Sequence, residues 1–296
     1  MATLQDIKRR IRSVRNTRKI TKAMELVAAA RLRRAEERIV RLRDYADRMQ
    51  ELTAGTARAA SSLRGLALLQ QREAKRVAVV ALTGDRGLAG AFNGQILRRA
   101  FAVERQLRSD GRDVRWLAVG RKGVSTLRFR RYELEQSWTG FTDMPSYADA
   151  QAVAHRLAEL YRDEEIDRAL LVYNSYVSPL VQRVTEQQVL PISEEVLARE
   201  EGDERLQALL GDFIYEPEPE QILERLLPVY VETEVYRAML ESAASELGAR
   251  MTAMRNASKN AAELIDSLTL DLNRARQAQI TQEILEVVAG ADALTQ

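Results

Sequence analysis

Residues 4–50 read LQDIKRRIRSVRNTRKITKAMELVAAARLRRAEERIVRLRDYADRMQ, and this stretch decides the fold. Its apolar residues fall at Leu4, Ile7, Ile11 and Val14, then at Ile20, Met24 and Val27, then at Leu32, Ala35, Ile39, Leu42, Ala46 and Met49. Steps of three and four put them on one narrow stripe of an α-helix, with a repeat near 3.5 residues. Before residue 58 there is no proline and one glycine, Gly55, so little interrupts the helix. Thr3 with Asp6 supplies a weak capping-box start. At about 1.5 Å per residue such a helix is roughly 80 Å long, more than a small globular core can cover.

The other end of the chain carries a matching stripe. From about Pro228 to Leu294 the seam runs through Val229, Thr233, Tyr236, Leu240, Ala243, Leu247, Met251, Met254, Ala257, Ala261, Leu264, Leu268, Leu272 and Ala275. Pro217, Pro219 and Pro228 precede or interrupt its start, where proline is tolerated or kinks the helix. Gly248 within it costs about 1 kcal/mol against alanine. Two long helices at opposite ends, each with one stripe, most simply bury those stripes on each other as an antiparallel coiled coil. If Arg58 faces Pro217, Met24 lies level with Arg250 and Met251, and residues beyond about 273 extend past their partner.

The middle of the chain alternates. Val77–Leu82, Val114–Val119, Tyr132–Gln136, Ala169–Tyr173 and Val181–Leu190 read as strands, and Gly90–Leu107, Arg121–Phe129 and Tyr147–Asp163 as helices. Strand–helix alternation implies an α/β domain with a largely parallel sheet. The expected fold class is therefore mixed: a long antiparallel coiled coil of the N- and C-terminal helices with an inserted Rossmann-like α/β domain. The expected divisions are residues 1–60, the first helix; 75–192, the inserted domain; 193–216, a connecting segment; and 217–296, the last helix.

Composition excludes several chemistries. There is no cysteine, hence no disulfide, zinc–thiolate site or thiol nucleophile, and a reducing compartment fits. His155 is the one histidine, which removes histidine triads and multi-histidine metal sites; it reads as a satisfied or surface residue. No uncharged apolar run approaches the roughly 18 residues of a membrane helix. The segment from Met1 to Ile7 has no apolar signal region, so neither export nor a transit peptide is expected. The adjacent acids Glu194–Glu195 and Glu200–Glu201 read as solvated.

Two features point outward. Residues 83–94, from Thr83 through Gly84, Gly87 and Gly90 to Gly94, follow a strand and open a helix, where a phosphate loop would sit. The spacing is not that of a dinucleotide fingerprint or a P-loop, so a tight strand-to-helix turn is the preferred reading, with a nucleotide-binding α/β enzyme as an alternative. Charge is also segregated: Lys8, Arg9, Arg10, Arg12, Arg15, Arg18, Lys19 and Lys22 crowd the first helix, while acids crowd residues 194–224. A basic helix without interleaved aromatics suits a protein partner with acidic loops better than nucleic acid, which stays open as a basic coiled-coil alternative.

Four ordered blocks go further. Residues 11–29, from Ile11 through Met24 to Ala29, resemble the N-terminal signature of ATP synthase gamma subunits, and residues 275–291 resemble that family's C-terminal signature. Asp85-Arg86-Gly87-Leu88 and Tyr215-Glu216-Pro217 match it as well. The resemblance implies a non-catalytic rotor shaft inside a hexamer of alternating alpha and beta subunits, with catalysis on beta. An epsilon subunit would bind beside it, and its foot would rest on a membrane c-ring. No cofactor, metal, catalytic residue or nucleic-acid partner is implied. By the same resemblance Met24, Arg250, Arg276, Gln277, Thr281 and Glu283 contact beta, and Tyr215 and Glu216 form the foot toward the c-ring and epsilon. Ala89 stands where many relatives carry cysteine, and the dithiol switch of plastid forms is excluded. The N-terminal start favours a bacterial protein, peripheral on the cytoplasmic face of the plasma membrane.

Overall fold

The computed structural model describes residues 4–63, 65–193 and 216–294, the side chains of 290–294 excepted. Tyr215, Thr3 and most of the expected connecting segment lie outside the described residues. The chain divides into two compact units: Met1–Ala28 with Met251–Gln296, and Ala29–Arg250. The long helices α1 (Leu4–Ala59) and α5 (Pro219–Leu294) contribute to both.

The larger unit is built on a five-stranded sheet. Its elements are β1 (Arg76–Leu82), α2 (Phe92–Ser109), β2 (Asp113–Val119), α3 (Arg121–Phe129), β3 (Leu134–Trp138), α4 (Tyr147–Arg162), β4 (Arg168–Tyr176) and β5 (Gln182–Leu190). The strand order is β3-β2-β1-β4-β5; β3, β2, β1 and β4 are parallel, and β5 closes one side antiparallel to β4. The antiparallel edge was not legible from strand–helix alternation, because a hairpin replaces the last helix: Val181 N donates to Ser178 O at 3.1 Å across the turn.

Why β1 reads as an unbroken apolar run is clear from what covers it. Val77, Val79 and Ala81 point to one face, where Phe92, Ile96, Ala100 and Leu127 of α2 and α3 pack. Ala78, Val80 and Leu82 point to the other, against Val153 and Leu157 of α4 and Leu223, Leu227, Val231 and Val235 of α5. The period of two places each half of the strand in its own core.

The helices over the sheet end alike. After α2, Gly111 N and Arg112 N donate back to Arg108 O and Leu107 O; after α3, Arg131 N and Tyr132 N donate to Arg128 O and Leu127 O; after α4, Glu164 N and Glu165 N donate to Tyr161 O and Leu160 O. Each is a Schellman closure, whose left-handed position is held by Gly111 (φ 76°), Arg131 (φ 62°) and Glu164 (φ 57°). This explains one displaced element. Tyr132 reads as the start of a strand, but it belongs to the helix-ending turn, its ring 5.6 Å from Phe101 and 5.5 Å from Trp116, so β3 starts at Leu134.

Gly248 in α5 has a local cause. A Cβ there would lie 3.0 Å from Pro179 O in the β4–β5 turn, so its absence lets that turn approach the helix.

In the smaller unit the two helical segments run antiparallel. Ile11, Ile265 and Leu268 are buried together, with Ile7, Val14 and Leu272 packed against them. Glu25 Oε1 receives Arg255 Nε at 3.1 Å, about one turn along α5 from the expected partner Arg250. The expected register assumed Arg58 opposite Pro217. Instead Ser61 N and Oγ both donate to Glu220 Oε1 at 2.7 Å, so the junction is offset.

Candidate functional site

The glycine-containing segment after β1 is filled from within. The Asp85 carboxylate accepts Arg121 N at 2.9 Å, Gly140 N at 2.8 Å, Thr142 N at 3.2 Å and Thr142 Oγ1 at 3.1 Å. Arg121 N is the first amide of α3, the place where a bound phosphate would be received. Burial pushes the Asp85 carboxyl up, but the amides of Arg121, Thr142 and Gly140 and the Thr142 hydroxyl outweigh it and hold it below its ordinary value. Gly84 N donates to Asn93 Oδ1 at 2.8 Å, and Gly123 N to Thr83 Oγ1 at 2.8 Å. The segment is a self-satisfied strand-to-helix turn.

A buried ion pair on α5 braces this turn. A Cβ on Gly84 would stand 2.7 Å from the Glu246 carboxylate. Glu246 pairs with Arg250 one turn on, and the two side chains are 2% and 11% exposed. Burial raises the Glu246 carboxyl above its ordinary value; Arg250 opposes this, and Asp143 and Asp85 add to it. Arg250 Nη2 also reaches Gly87 O at 3.4 Å. Thus Arg250, expected as a surface contact, is engaged inside its own unit. The i,i+4 spacing of Glu246 and Arg250 is readable in sequence; that Gly84 makes room for the carboxylate is not. Asp143 joins Arg31 of α1 at 3.0 Å and Arg86 at 3.9 Å. His155 is a satisfied surface histidine, its Nε2 2.9 Å from Glu232 Oε1.

The remaining expected contacts lie on open helix. Met24 is half-buried on α1 beside Glu25. Hydrogen bonds from Lys22 and then Arg255 hold the Glu25 carboxyl below its ordinary value against the opposing effect of burial. Arg276, Gln277, Thr281 and Glu283 are exposed on α5. Thr281 Oγ1 donates to Gln277 O and Gln279 Nε2 to Glu283 Oε1, both at 2.9 Å. Beyond them Ile284, Leu285, Val287 and Val288 are all more than half exposed. A polar band is thus followed by an apolar end that no described residue covers. Glu216 is exposed at the start of the last described segment. Among the described residues no cluster of acids and histidine is placed to hold a metal ion, and no helix is long and apolar enough to cross a membrane.

Comparison with known proteins fits a partner-binding subunit. A family model described as ATP synthase matches residues 3–294. The ATP synthase gamma chain of Rubrobacter xylanophilus is 48% identical over 99% of this chain and 99% of its own length. That of Moorella thermoacetica is 46% identical over 99% of this chain and 100% of its own. Among solved structures, the central stalk and c-ring of the Tetrahymena thermophila mitochondrial ATP synthase contains a chain 28% identical, with a TM-score of 0.59 over 81% of this chain and 99% of that one. A chain of the Euglena gracilis mitochondrial ATP synthase, 19% identical, shares the fold with a TM-score of 0.69 over 98% of this chain and 94% of that one. The chain belongs to the ATP synthase gamma chain family.

Proposed function

We propose that this chain is the rotating central-stalk subunit of an F-type ATP synthase. It couples ion flow through a membrane c-ring to ATP synthesis or hydrolysis on the beta subunits of an alpha–beta hexamer, and it catalyses nothing itself. The observation that carries this reading is the near-full-length match to gamma chains, read together with the uncovered end of α5. A shaft must resist twisting, and two helices packed through Ile7, Ile11, Val14, Ile265, Leu268 and Leu272 do so better than one. It must also turn inside its bearing. Few polar contacts that break and re-form, backed by an apolar end that centres without gripping, meet both demands.

In this reading Arg276, Gln277, Thr281 and Glu283 are the discrete contacts to beta, with Met24 on α1. An arginine can hold a carboxylate through two parallel hydrogen bonds, which suits Arg276 for a catch. Arg250 contributes through its grip on Gly87 and Glu246 more than through an open face. Glu216, with Tyr215, belongs to the foot on the c-ring, where an epsilon subunit also binds. The complex is membrane-associated, and the chain sits on the cytoplasmic face of a bacterial plasma membrane as a peripheral subunit. Asp85 occupying its own turn argues against nucleotide binding there. Co-purification tests the reading: the tagged chain should bring down alpha and beta subunits with ATPase activity, and recovery of the chain without them overturns it.

A further inference from the structure

At the edge of the sheet where β1, β2 and β4 begin, α2 and α3 end, and arginines gather. Arg105 and Arg108 come from the last turns of α2, Arg128 from the last turn of α3, and Arg130 and Arg131 from the turn that follows; all are exposed. Among them Phe129 is 88% exposed. One cation per helix C-terminus is ordinary, and this accounts for Arg108 and Arg128 but not for the other three. Arg108 is paired with Glu104 at 2.9 Å, and the Tyr132 hydroxyl donates to the same carboxylate at 2.8 Å. Among the described residues Arg105, Arg128, Arg130 and Arg131 form no salt bridge. Asp110, Asp113 and Glu133 are the exposed acids beside these turns, three against five arginines, so positive charge predominates.

Two details show that the patch is held in shape. Arg130 lies over the Phe101 ring, 4.4 Å from its centroid, which anchors its stem. Arg131 holds the left-handed closing position of α3, which Gly111 holds after α2. Glycine would adopt it more easily, yet a cation stands there.

We infer that this arginine–phenylalanine patch is a contact for the headgroups of anionic phospholipids. An exposed aromatic ring ringed by guanidiniums fits a bilayer interface, with the ring in the headgroup layer and the guanidiniums on phosphates. The inference rests on the rotor reading, which puts the chain beside a membrane. The connection from α1 into β1 runs along this same edge: Arg72 Nη1 donates to Tyr161 O at 3.0 Å at the end of α4, and Ile192 N, just past β5, donates to Leu68 O at 3.0 Å. α5 starts where that connection leaves α1, with Ser61 N and Oγ donating to Glu220 Oε1 at 2.7 Å. Lipid is also a partner compatible with rotation. A fluid anionic surface surrounds a ring evenly, so attraction to it adds no angular barrier, whereas a fixed acidic protein would favour one angle. Nucleic acid fits less well, since a single aromatic on a convex turn offers no row of stacking platforms.

The test uses the assembled alpha–beta complex containing this chain. Its sedimentation is measured with vesicles of phosphatidylcholine alone and with phosphatidylglycerol added, at low and high salt. Each arginine near an anionic surface is worth about fivefold in partitioning. The triple variant R128Q/R130Q/R131Q should therefore lose about a hundredfold of its binding to the anionic vesicles, and Phe129→Ser should weaken it further at high salt. ATPase activity of the variants should stay at the parental level. Equal sedimentation of parent and triple variant, or binding that ignores lipid charge, overturns the inference while leaving the rotor reading intact. So does a tight DNA mobility shift without vesicle binding. Failure of the chain to assemble with an active hexamer overturns the rotor reading itself.

Discussion

Replacing Asp85 with asparagine removes one negative charge from a turn that uses it four times. The carboxylate accepts Arg121 N, Gly140 N, Thr142 N and Thr142 Oγ1 within 3.2 Å. Asparagine keeps one acceptor oxygen. Turned toward Gly140 and Thr142, it leaves its NH2 group against the Arg121 N–H; turned the other way, it loses the Gly140 and Thr142 amides. Hydrogen bonds to a charged group contribute about 1.5–3 kcal/mol each. Asp85 is only half-buried, so water compensates part of the loss, and one lost bond with two weakened ones gives about 2–4 kcal/mol. At about 2–4 °C per kcal/mol for a unit of this size, melting should fall by about 5–15 °C in differential scanning calorimetry. The pH dependence has a fixed sign. Hydrogen bonding holds the folded carboxyl below 3.8, so its contribution is complete above that pH and is lost as pH falls through the depressed value. The gap between parent and Asp85→Asn should stay constant from about pH 8 to 5 and close only in strong acid. A shift under about 2 °C at pH 7, or a gap that closes near pH 6, refutes the claim that this carboxylate organises the turn.

Other substitutions probe the shaft and its contacts. Arg276→Ala should lower ATP turnover or coupling in the assembled complex with little effect on assembly, whereas deleting residues 285–296 should weaken assembly yet leave rotation; the opposite ranking in assembly and ATPase assays reverses catch and bearing. Met24→Lys adds a cation beside the basic stripe, and one new charge-assisted contact of about 1.5–3 kcal/mol in a single rotational state should slow turnover and impair coupling; normal turnover removes Met24 from the contact. Arg255→Ala should cost the helix pair about 1 kcal/mol or less, because both cations around Glu25 are more than half exposed and solvent screens them; a larger loss in chemical denaturation would mean that Glu25 is far more isolated from water. Glu216→Lys should reduce proton-coupled ATP synthesis in membranes and spare ATPase activity of the detached hexamer, and unchanged coupling makes Glu216 a solvated charge.

The parts of the fold legible in sequence were those where one physical pattern dominates. The α1 stripe was legible at Ile11, Leu32, Ile39 and Ala46, which are buried, but Ile20 and Val27, expected on it, are 61% and 54% exposed while Thr21, Glu25 and Ala28 are buried instead; on α5 Ile265 takes the buried place expected for Leu264. β1 is apolar on both faces because α2 and α4 cover it. The register of the helices was not legible, since it depends on the Ser61–Glu220 junction and on which of Ile265 and Leu268 meets Ile11, a choice between near-equivalent positions. Tyr132 misled for a chemical reason: an aromatic residue with strand preference was recruited to close α3. For the candidate site, periodicity exposed the α5 end, whose residues past about 273 were expected to outrun their partner. Glu246 was missed because an acid on a helix reads as solvated unless the empty space at Gly84 is known. Asp85 was visible only as part of a family block, and its role as the internal anion of the turn needs the positions of Gly140 and Thr142, more than fifty residues away.

The most direct measurement is single-molecule rotation. With the hexamer fixed to a surface by its alpha or beta subunits and a bead attached to this chain through a cysteine introduced at the exposed Ser109, the last residue of α2, added ATP should drive unidirectional rotation in three equal steps per revolution. A bead that only fluctuates about one angle while the same complexes hydrolyse ATP would contradict the assignment of this chain as the rotor.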